Sequence, residues 1–429
     1  VDSHIFHRFC GNCNIRNNKK IYCRTKKSMT RTFKYRIYLN KKQLQKLLSD
    51  IELCRRLYNI ALEQKIFAYK QSRKSISCYD QINQLPELKK SFPEYQSVHS
   101  QTQQDVLRRL DKSFKAFFGR IEKHQKAGFP HFKGRDSYNS ICYPQSGFEI
   151  KGNKLHLSKI GNIKIKLHRP IKGTIKTCLI IKEGNQWYAC FSLEIKNKEI
   201  ENRPIKTAIG IDLGLDSFAT LSNGEKIDNP RWFRNSEIKL ARQQRWLSRK
   251  KKDSNNRKKQ KKIVAKIHCK IRSQRNDFTH KLSRRLVDKY ELIAYEDLAV
   301  KNMVKNRYLA KSISDVAWNG FCQKLLYKTD ECGKYALPVS PRNTSQICSG
   351  CGEIVHKALW VRRHKCSKCG IDMDRDENAS INILKLGIEE YRRNYGNQRL
   401  GSLLNRLNHE PRSLFPHRER VVHLIKIVE

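Results

Sequence analysis

Two cysteine knuckles constrain this chain more than any other local feature. Cys348-Ser-Gly-Cys351 and Cys366-Ser-Lys-Cys369 are each followed by glycine, Gly352 and Gly370. Glycine at that place lets backbone amides turn toward the thiolates. Four thiolates in this spacing suit tetrahedral zinc in a closed, structural site with no open position for water. The plainer alternative is four free cysteines. His364 lies between the knuckles and could replace a ligand, although four cysteines suffice. Residues 341–370 are therefore expected to form a zinc ribbon. Lys357, Arg362, Arg363, His364 and Lys365 make it basic, so it could contact nucleic acid or simply cover a neighbouring fold.

Acidic residues at the ends of apolar runs give the second constraint. Thr207–Ile227 reads TAIGIDLGLDSFATLSNGEKI: a strand ending at Asp212, a turn at Gly214 and a return strand from Phe218. A carboxylate in apolar surroundings needs a partner, and a divalent metal is one. A solvated Asp in a hairpin turn would read the same in isolation. Comparable acids follow, however. Leu292, Ile293, Ala294 and Tyr295 lead into Glu296, and Asp374-Arg375-Asp376 opens a segment with helical spacing at Ile381, Leu384 and Ile388. Three acids from distant segments can converge on two magnesium ions. Such a pair, roughly 4 Å apart, activates a water and stabilises the leaving oxygen in phosphodiester hydrolysis. Hard oxygen ligands suit magnesium or manganese better than zinc.

Charge narrows the partner. The formal net charge is +49, with Lys+Arg 89 against Asp+Glu 40 over 429 residues. That excess implies a polyanion bound in a salt-dependent way. No apolar run approaches the roughly 18 residues of a membrane span, so nucleic acid is preferred to a membrane surface. The first residues lack a long apolar core, and no signal peptide is expected. With 15 cysteines, an odd number, a reducing compartment is expected over a disulfide scaffold. Cys54, Cys78, Cys142, Cys178, Cys190, Cys269, Cys322 and Cys332 read as small buried or half-buried residues. Cys10, Cys13 and Cys23, in an N-terminal extension, give only a weak metal signal.

The remaining elements take their place around these sites. Phe33, Tyr35, Ile37 and Leu39 alternate with polar residues as a half-buried strand, and Asn40 can cap the helix that follows. A second helix over 102–124 carries Val106, Leu110, Phe114, Phe117 and Phe118 on one side and Arg108 and Arg109 among its cations. Such a helix is a packed core with a solvated rim or an all-helical lobe presenting basic residues to nucleic acid. From Gly128 to about Lys198 the pattern is strand-like, a β-rich module expected to take in the strand at Phe33. The helical lobe would then be an insertion in a β barrel. Residues 231–290 read as two long helices joined by SRKKKDSNNRKKQKK. That run is either a solvated loop or a set of phosphate contacts from Lys250, Lys251, Lys252, Arg257, Lys258 and Lys259. Residues 314–328 read helical and 335–339 as a strand.

The ordered set GIDLGLDSFATLSNGEKI, YEDLAVKNMVKN, LAKSISDVAW, CSGC…CSKCG and DRDENASINIL resembles the TnpB (OrfB) family of transposon-encoded proteins, related to type V CRISPR effectors. FKYRIYLN and GFPHFKGR extend the likeness over most of 29–387. The resemblance implies an α/β multidomain protein: a RuvC-like nuclease of RNase H fold with an inserted zinc ribbon, and a β-barrel wedge domain carrying an inserted helical recognition lobe. The expected division is an extension at 1–28, the wedge at 29–42 and 128–203, the lobe at 43–127, the nuclease at 204–340 and 371–395, the ribbon at 341–370 and a basic tail at 396–429. The family's catalytic acids fall on Asp212, Glu296 and Asp376, with Asp374 competing for the third place. The small residue usual after Ala379 is here Ser380. The resemblance further implies a guide RNA from the transposon end, a double-stranded DNA target cut at a single site, and a cytoplasmic, prokaryotic location at the nucleoid. A zinc-ribbon regulator without catalysis and a strand-joining transposase are the competing functions.

Overall fold

The computed structural model describes residues 28–196 and 204–403, except 359, 398 and 402. Cys10, Cys13, Cys23 and the tail beyond 403 lie outside the described residues.

Strand β1 (Ser28–Tyr38) buries Tyr35 and Ile37 and exposes Arg36 and Tyr38, as its period-two pattern requires. Asn40 starts α1 (Lys41–Ser72) with a reciprocal capping box: its side chain accepts from the Gln43 amide at 2.8 Å and the Gln43 side chain accepts from the Asn40 amide at 3.2 Å. The buried stripe Leu47, Ile51, Cys54, Leu57, Tyr58 and Ala61 of α1 packs with Val106, Leu107 and Leu110 of a later helix. Between them lie α2 (Cys78–Asn83) and α3 (Leu85–Ser91), and the later helix is α4 (Ser100–Ile121).

Six strands follow: β2 (Ser140–Tyr143), β3 (Phe148–Lys151), β4 (Lys154–Leu157), β5 (Gly161–Lys166), β6 (Thr174–Glu183) and β7 (Gln186–Lys196). They form one antiparallel sheet with β1, in the order β2-β6-β7-β1-β5-β4-β3. Phe148 on β3 and Phe191 on β7 are four strands apart, about 19 Å in a flat sheet, yet their rings lie 6.3 Å apart. The sheet therefore curls strongly. It remains a half-barrel, not the closed barrel expected, because β2 and β3 are unpaired edges. Side chains of α4 occupy the free edge of β2. Thr102 donates to the Cys142 carbonyl at 2.9 Å and Arg109 to the Ser140 carbonyl at 3.3 Å.

The second sheet comprises β8 (Ala208–Asp212), β9 (Ser217–Leu221), β10 (Lys226–Asp228), β11 (Leu292–Glu296) and β12 (Tyr335–Val339), interrupted by α5 (Trp232–Ser248), α6 (Asn255–Lys289), α7 (Val300–Met303), α8 (Ala310–Val316) and α9 (Trp318–Glu331). Its order is β10-β9-β8-β11-β12, with β8, β11 and β12 parallel and the first three antiparallel. Pro338 is tolerated because β12 is an edge. The helix expected over 314–328 is broken at Ala317, whose φ of 58° separates α8 from α9. A small pair, β13 (Arg363–Lys365) and β14 (Asp372–Asp374), leads into α10 (Arg375–Tyr395). Every residue of β11 is buried, between α10 on one face and α6 and α9 on the other. No described helix is long and apolar enough to cross a membrane.

Candidate metal centres

Asp212 is the last residue of β8 and Glu296 the last of β11. These strands are neighbours and parallel, with Ile211 opposite Tyr295. Both carboxylates therefore leave the sheet side by side at the same end. Helix α10 lies across β8 and β11, with Asp376 in its first turn. The crossing is close because two glycines permit it. A Cβ on Gly210 would lie 2.0 Å from the Ser380 carbonyl oxygen, and one on Gly387 would lie 2.3 Å from the Ala294 Cβ. Gly214, expected as the reversal point, is not in the left-handed region. What it supplies is room, since a Cβ there would sit 2.9 Å from the Ser217 carbonyl oxygen.

Burial pushes the Asp212 carboxyl well above the usual range, and the charges of Glu296 and Asp376 push it further, against a smaller pull from Arg375. Glu296, 7% exposed, is also raised by burial and by Asp376, while the Thr344 hydroxyl, donating to it at 2.7 Å, opposes the rise. Three mutually repelling carboxylates in a desolvated corner are the chemistry that a hard divalent cation offsets. Asp376 also meets Arg375 at 3.2 Å and Arg362 of the ribbon at 3.8 Å, and Arg362 pairs with Asp216. Asp374, the competing third acid, caps α10, accepting from the amides of Asp376 at 2.9 Å and Glu377 at 3.3 Å. Burial raises its carboxyl, but Lys226 at 2.8 Å holds it below the ordinary range.

The four knuckle cysteines come together. Their sulfurs all lie within 4.8 Å of one another, with Cys348–Cys369 at 3.5 Å and Cys351–Cys366 at 3.6 Å. Tetrahedral zinc with Zn–S bonds of about 2.3 Å places sulfurs about 3.8 Å apart, so the cluster fits the ion. Gly352 and Gly370 have φ of 78° and 72°, the left-handed turns the knuckles need. Burial alone would raise the Cys366 thiol. The Cys369 amide, the Cys351 thiol and the Lys368 amide overcome it and bring it to about 7, whereas burial raises the Cys348 thiol and pushes Cys369 up to about 12. His364 is fully buried against Lys357 and stands outside this set. The eight scattered cysteines from Cys54 to Cys332 are free and buried or half-buried.

The expected phosphate contacts divide. Lys251, Lys252, Lys258, Lys259 and Arg108 are exposed, and Lys250 is half-buried. Arg257 instead donates to the carbonyls of Leu247 and Lys250, both at 2.9 Å, and so closes the C-terminal end of α5. Arg109 is held by Asp105 at 2.6 Å and by Ser140. Burial works against its charge, yet Asp105 keeps its pKa above the ordinary value. Both guanidiniums are spent on carbonyls and a carboxylate of the fold. Residues given no role from sequence also meet the sites: Arg375, Thr344, Asn378 and Asn382. The sequence signal for the last two was a polar pair four apart in α10.

Three family models match: a probable transposase model (OrfB_IS605) over residues 191–307, a Cas12f1-like TNB domain over 318–383 and a helix-turn-helix domain over 29–74. Across that last span the structure has β1 and then one unbroken helix, α1. A Streptomyces pristinaespiralis protein named "Putative RNA-guided DNA endonuclease" is 36% identical over 368 residues, covering 83% of this chain and 89% of the relative. InsQ of Escherichia coli K12, named likewise, is 29% identical over 78% of this chain and 86% of its own length. A mimivirus TnpB-like protein is 27% identical over 53% of this chain and 46% of its own length. Among solved structures, the mini-RNA-guided endonuclease Cas_phi3 aligns with a TM-score of 0.45 at 9% identity, over 84% of this chain and 92% of that one. A Cas12f1–sgRNA–target DNA complex gives a TM-score of 0.32 at 16% identity, over 83% and 99%.

Proposed function

Since this chain belongs to the TnpB (OrfB) family of transposon-encoded proteins, we propose that it is an RNA-guided endonuclease that cuts double-stranded DNA at one RuvC-like site. The observation that supports the reading is that Asp212 and Glu296 end neighbouring parallel strands and that the charge of Asp376, in the first turn of α10, acts on both carboxyls. Three antiparallel strands followed by two parallel ones, with a helix across the central pair, support the RNase H fold. In this reading the nuclease is 204–340 and 371–395, the ribbon 341–370, the wedge 29–42 and 128–203, and the helical lobe 43–127.

Asp212, Glu296 and Asp376 would hold two magnesium ions, which when bound supply an activated water and a counter-charge for the leaving oxygen. The burial of Asp212 and Glu296 excludes bulk water and strengthens every charge interaction at the site. Asp374 fixes the first turn of α10 and thereby the direction of Asp376. Arg362, reaching from the ribbon, is placed to meet a phosphate entering beside Asp376. Cys348, Cys351, Cys366 and Cys369 would hold one structural zinc. A guide RNA and a DNA target account for the +49 charge, with base pairing reading sequence and the basic surface holding the backbone. Exposed Lys251, Lys252, Lys258, Lys259 and Arg108, with half-buried Lys250, are the contacts this reading assigns to nucleic acid.

The test begins with RNA that co-purifies when the protein is expressed beside its native flanking DNA. A single structured RNA with a defined end is expected. Its end segment then directs magnesium-dependent cleavage of a matching duplex by the wild type and none by Asp212→Ala, which still binds. Cleavage by Asp212→Ala would overturn the site. The match to a probable transposase model favours strand joining as a second reading, which joined and not merely broken products would establish. Binding without either reaction would point to a regulator.

A further inference from the structure

The zinc ribbon and the acidic site are joined by buried polar contacts that neither site needs for its own ligands. Helix α10 presents Asn378, Asn382 and Lys385 at i, i+4 and i+7, on one face. All three bond the backbone that runs into the first knuckle. Asn378 accepts from the Ser349 amide and donates to the Ile347 carbonyl, both at 2.8 Å. Asn382 donates to the carbonyls of Thr344 at 2.8 Å and Ile347 at 2.7 Å, and Lys385 to that of Ser349 at 2.6 Å. Ile347 and Ser349 flank Cys348, so the clamp grips the first zinc ligand from both sides. The same segment reaches Glu296 through the side chain of Thr344. Thr344 is buried, and its single hydroxyl proton goes to the Glu296 carboxylate at 2.7 Å, the Pro341 carbonyl being more distant at 3.4 Å.

We propose that the ribbon is a positioning element of the acidic site: Thr344 orients Glu296, and Asn378, Asn382 and Lys385 lock the zinc knuckle to the helix that carries Asp376. This rests on the reading of Asp212, Glu296 and Asp376 as a divalent-metal site. Among the described residues of 341–370 the buried side chains are Thr344, Cys348, Ser349, His364 and Cys366, with no aliphatic or aromatic hydrocarbon core among them. In such a unit the metal replaces the core, and without it the backbone has no fixed course. Thr344 then loses its place, and Glu296 loses the donor that fixes which oxygen faces the metals. Partners that orient a ligating carboxylate are worth about 10–100-fold in metal affinity.

The experiment measures Mn2+ binding to the full chain by electron paramagnetic resonance, with zinc content and thermal midpoint recorded for each sample. Wild type should show saturable Mn2+ binding that Asp212→Ala removes. Thr344→Val, which keeps the shape and removes the hydroxyl, should weaken Mn2+ binding about tenfold with zinc content and midpoint unchanged, and Thr344→Ser should restore it. Stripping zinc from wild type should weaken Mn2+ binding, and returning zinc should recover it. Wild-type affinity in Thr344→Val, or Mn2+ binding indifferent to zinc, would overturn the proposal. So would a loss of zinc or of thermal stability in Thr344→Val, which would make the residue merely structural. Absence of any Asp212-dependent Mn2+ binding in wild type would instead overturn the acidic-site reading beneath it.

Discussion

The close seat of α10 on β11 can be tested by moving one methyl group across the contact. Gly387 faces Ala294, two residues before Glu296, and a Cβ on Gly387 would lie 2.3 Å from the Ala294 Cβ. Few real Cβ contacts are shorter than 3.4 Å, so Gly387→Ala must push the helix and strand apart by about 1.1 Å. Helix propensity alone would favour the substitution by about 1 kcal/mol. Overpacking of a close-packed core costs about 1–3 kcal/mol, so a net loss of up to about 2 kcal/mol is expected. The functional loss should be larger, since a shift of about 1 Å between reacting groups costs on the order of 100-fold in rate and α10 carries Asp376. The compensating change is Ala294→Gly. It leaves the Ala294 Cα as the nearest atom, 3.5 Å from the new Cβ, an ordinary contact. The strand glycine costs about 0.5–1 kcal/mol, close to what the helix alanine returns. Urea unfolding and guided cleavage should therefore show Gly387→Ala destabilised and nearly inactive, and Gly387→Ala/Ala294→Gly close to wild type in both. A single variant as stable and active as wild type, or a double variant no better than the single, would refute the packing argument.

Three further outcomes follow from the sites. The raised carboxyl of Asp212 means that the folded protein without magnesium holds this proton more tightly than the unfolded chain. Its stability should fall as pH rises from about 4 through the raised folded value, and Asp212→Asn, measured by thermal midpoint against pH in magnesium-free buffer, should remove that fall. Lys258→Ala should reduce the salt slope of RNA binding by about one charge with stability unchanged. Arg257→Ala should lower the midpoint of unfolding, because it opens the α5–α6 turn. Equal effects of the two would contradict their separate roles. Cys351→Ser should cut the zinc content well below one per chain and lower the thermal midpoint, whereas full zinc content would show that three thiolates suffice.

The local periodicities were legible. The β1 alternation, the Asn40 cap, the two long basic helices and the strand at 335–339 all follow from residue order, because each depends on neighbours within a few positions. The knuckles were legible for the same reason, their ligand spacing being itself a local property. The bonds that Arg109 and Arg257 make within the fold were not legible, because a charge looks alike in sequence whether it faces solvent or a backbone carbonyl. The half-barrel was misread as a barrel because strand patterns do not reveal which edges pair, and the free edge of β2 is taken by Thr102 and Arg109, far away in the chain.

The sequence by itself therefore determined the chemistry that can occur here: four thiolates for a tetrahedral ion, hard oxygen donors at the ends of apolar runs, and a surplus of cations suited to a polyanion. Tertiary structure alone decided which of these groups act together. Parallel pairing of β8 and β11 sets Asp212 beside Glu296, and the close crossing over Gly210 and Gly387 brings Asp376 to both. The run of hydrogen bonds through Thr344, Asn382 and Ile347 joins Glu296 to the backbone beside Cys348. Charge repulsion, desolvation and the sharing of a single hydroxyl proton depend on distances across the fold, which residue order does not contain.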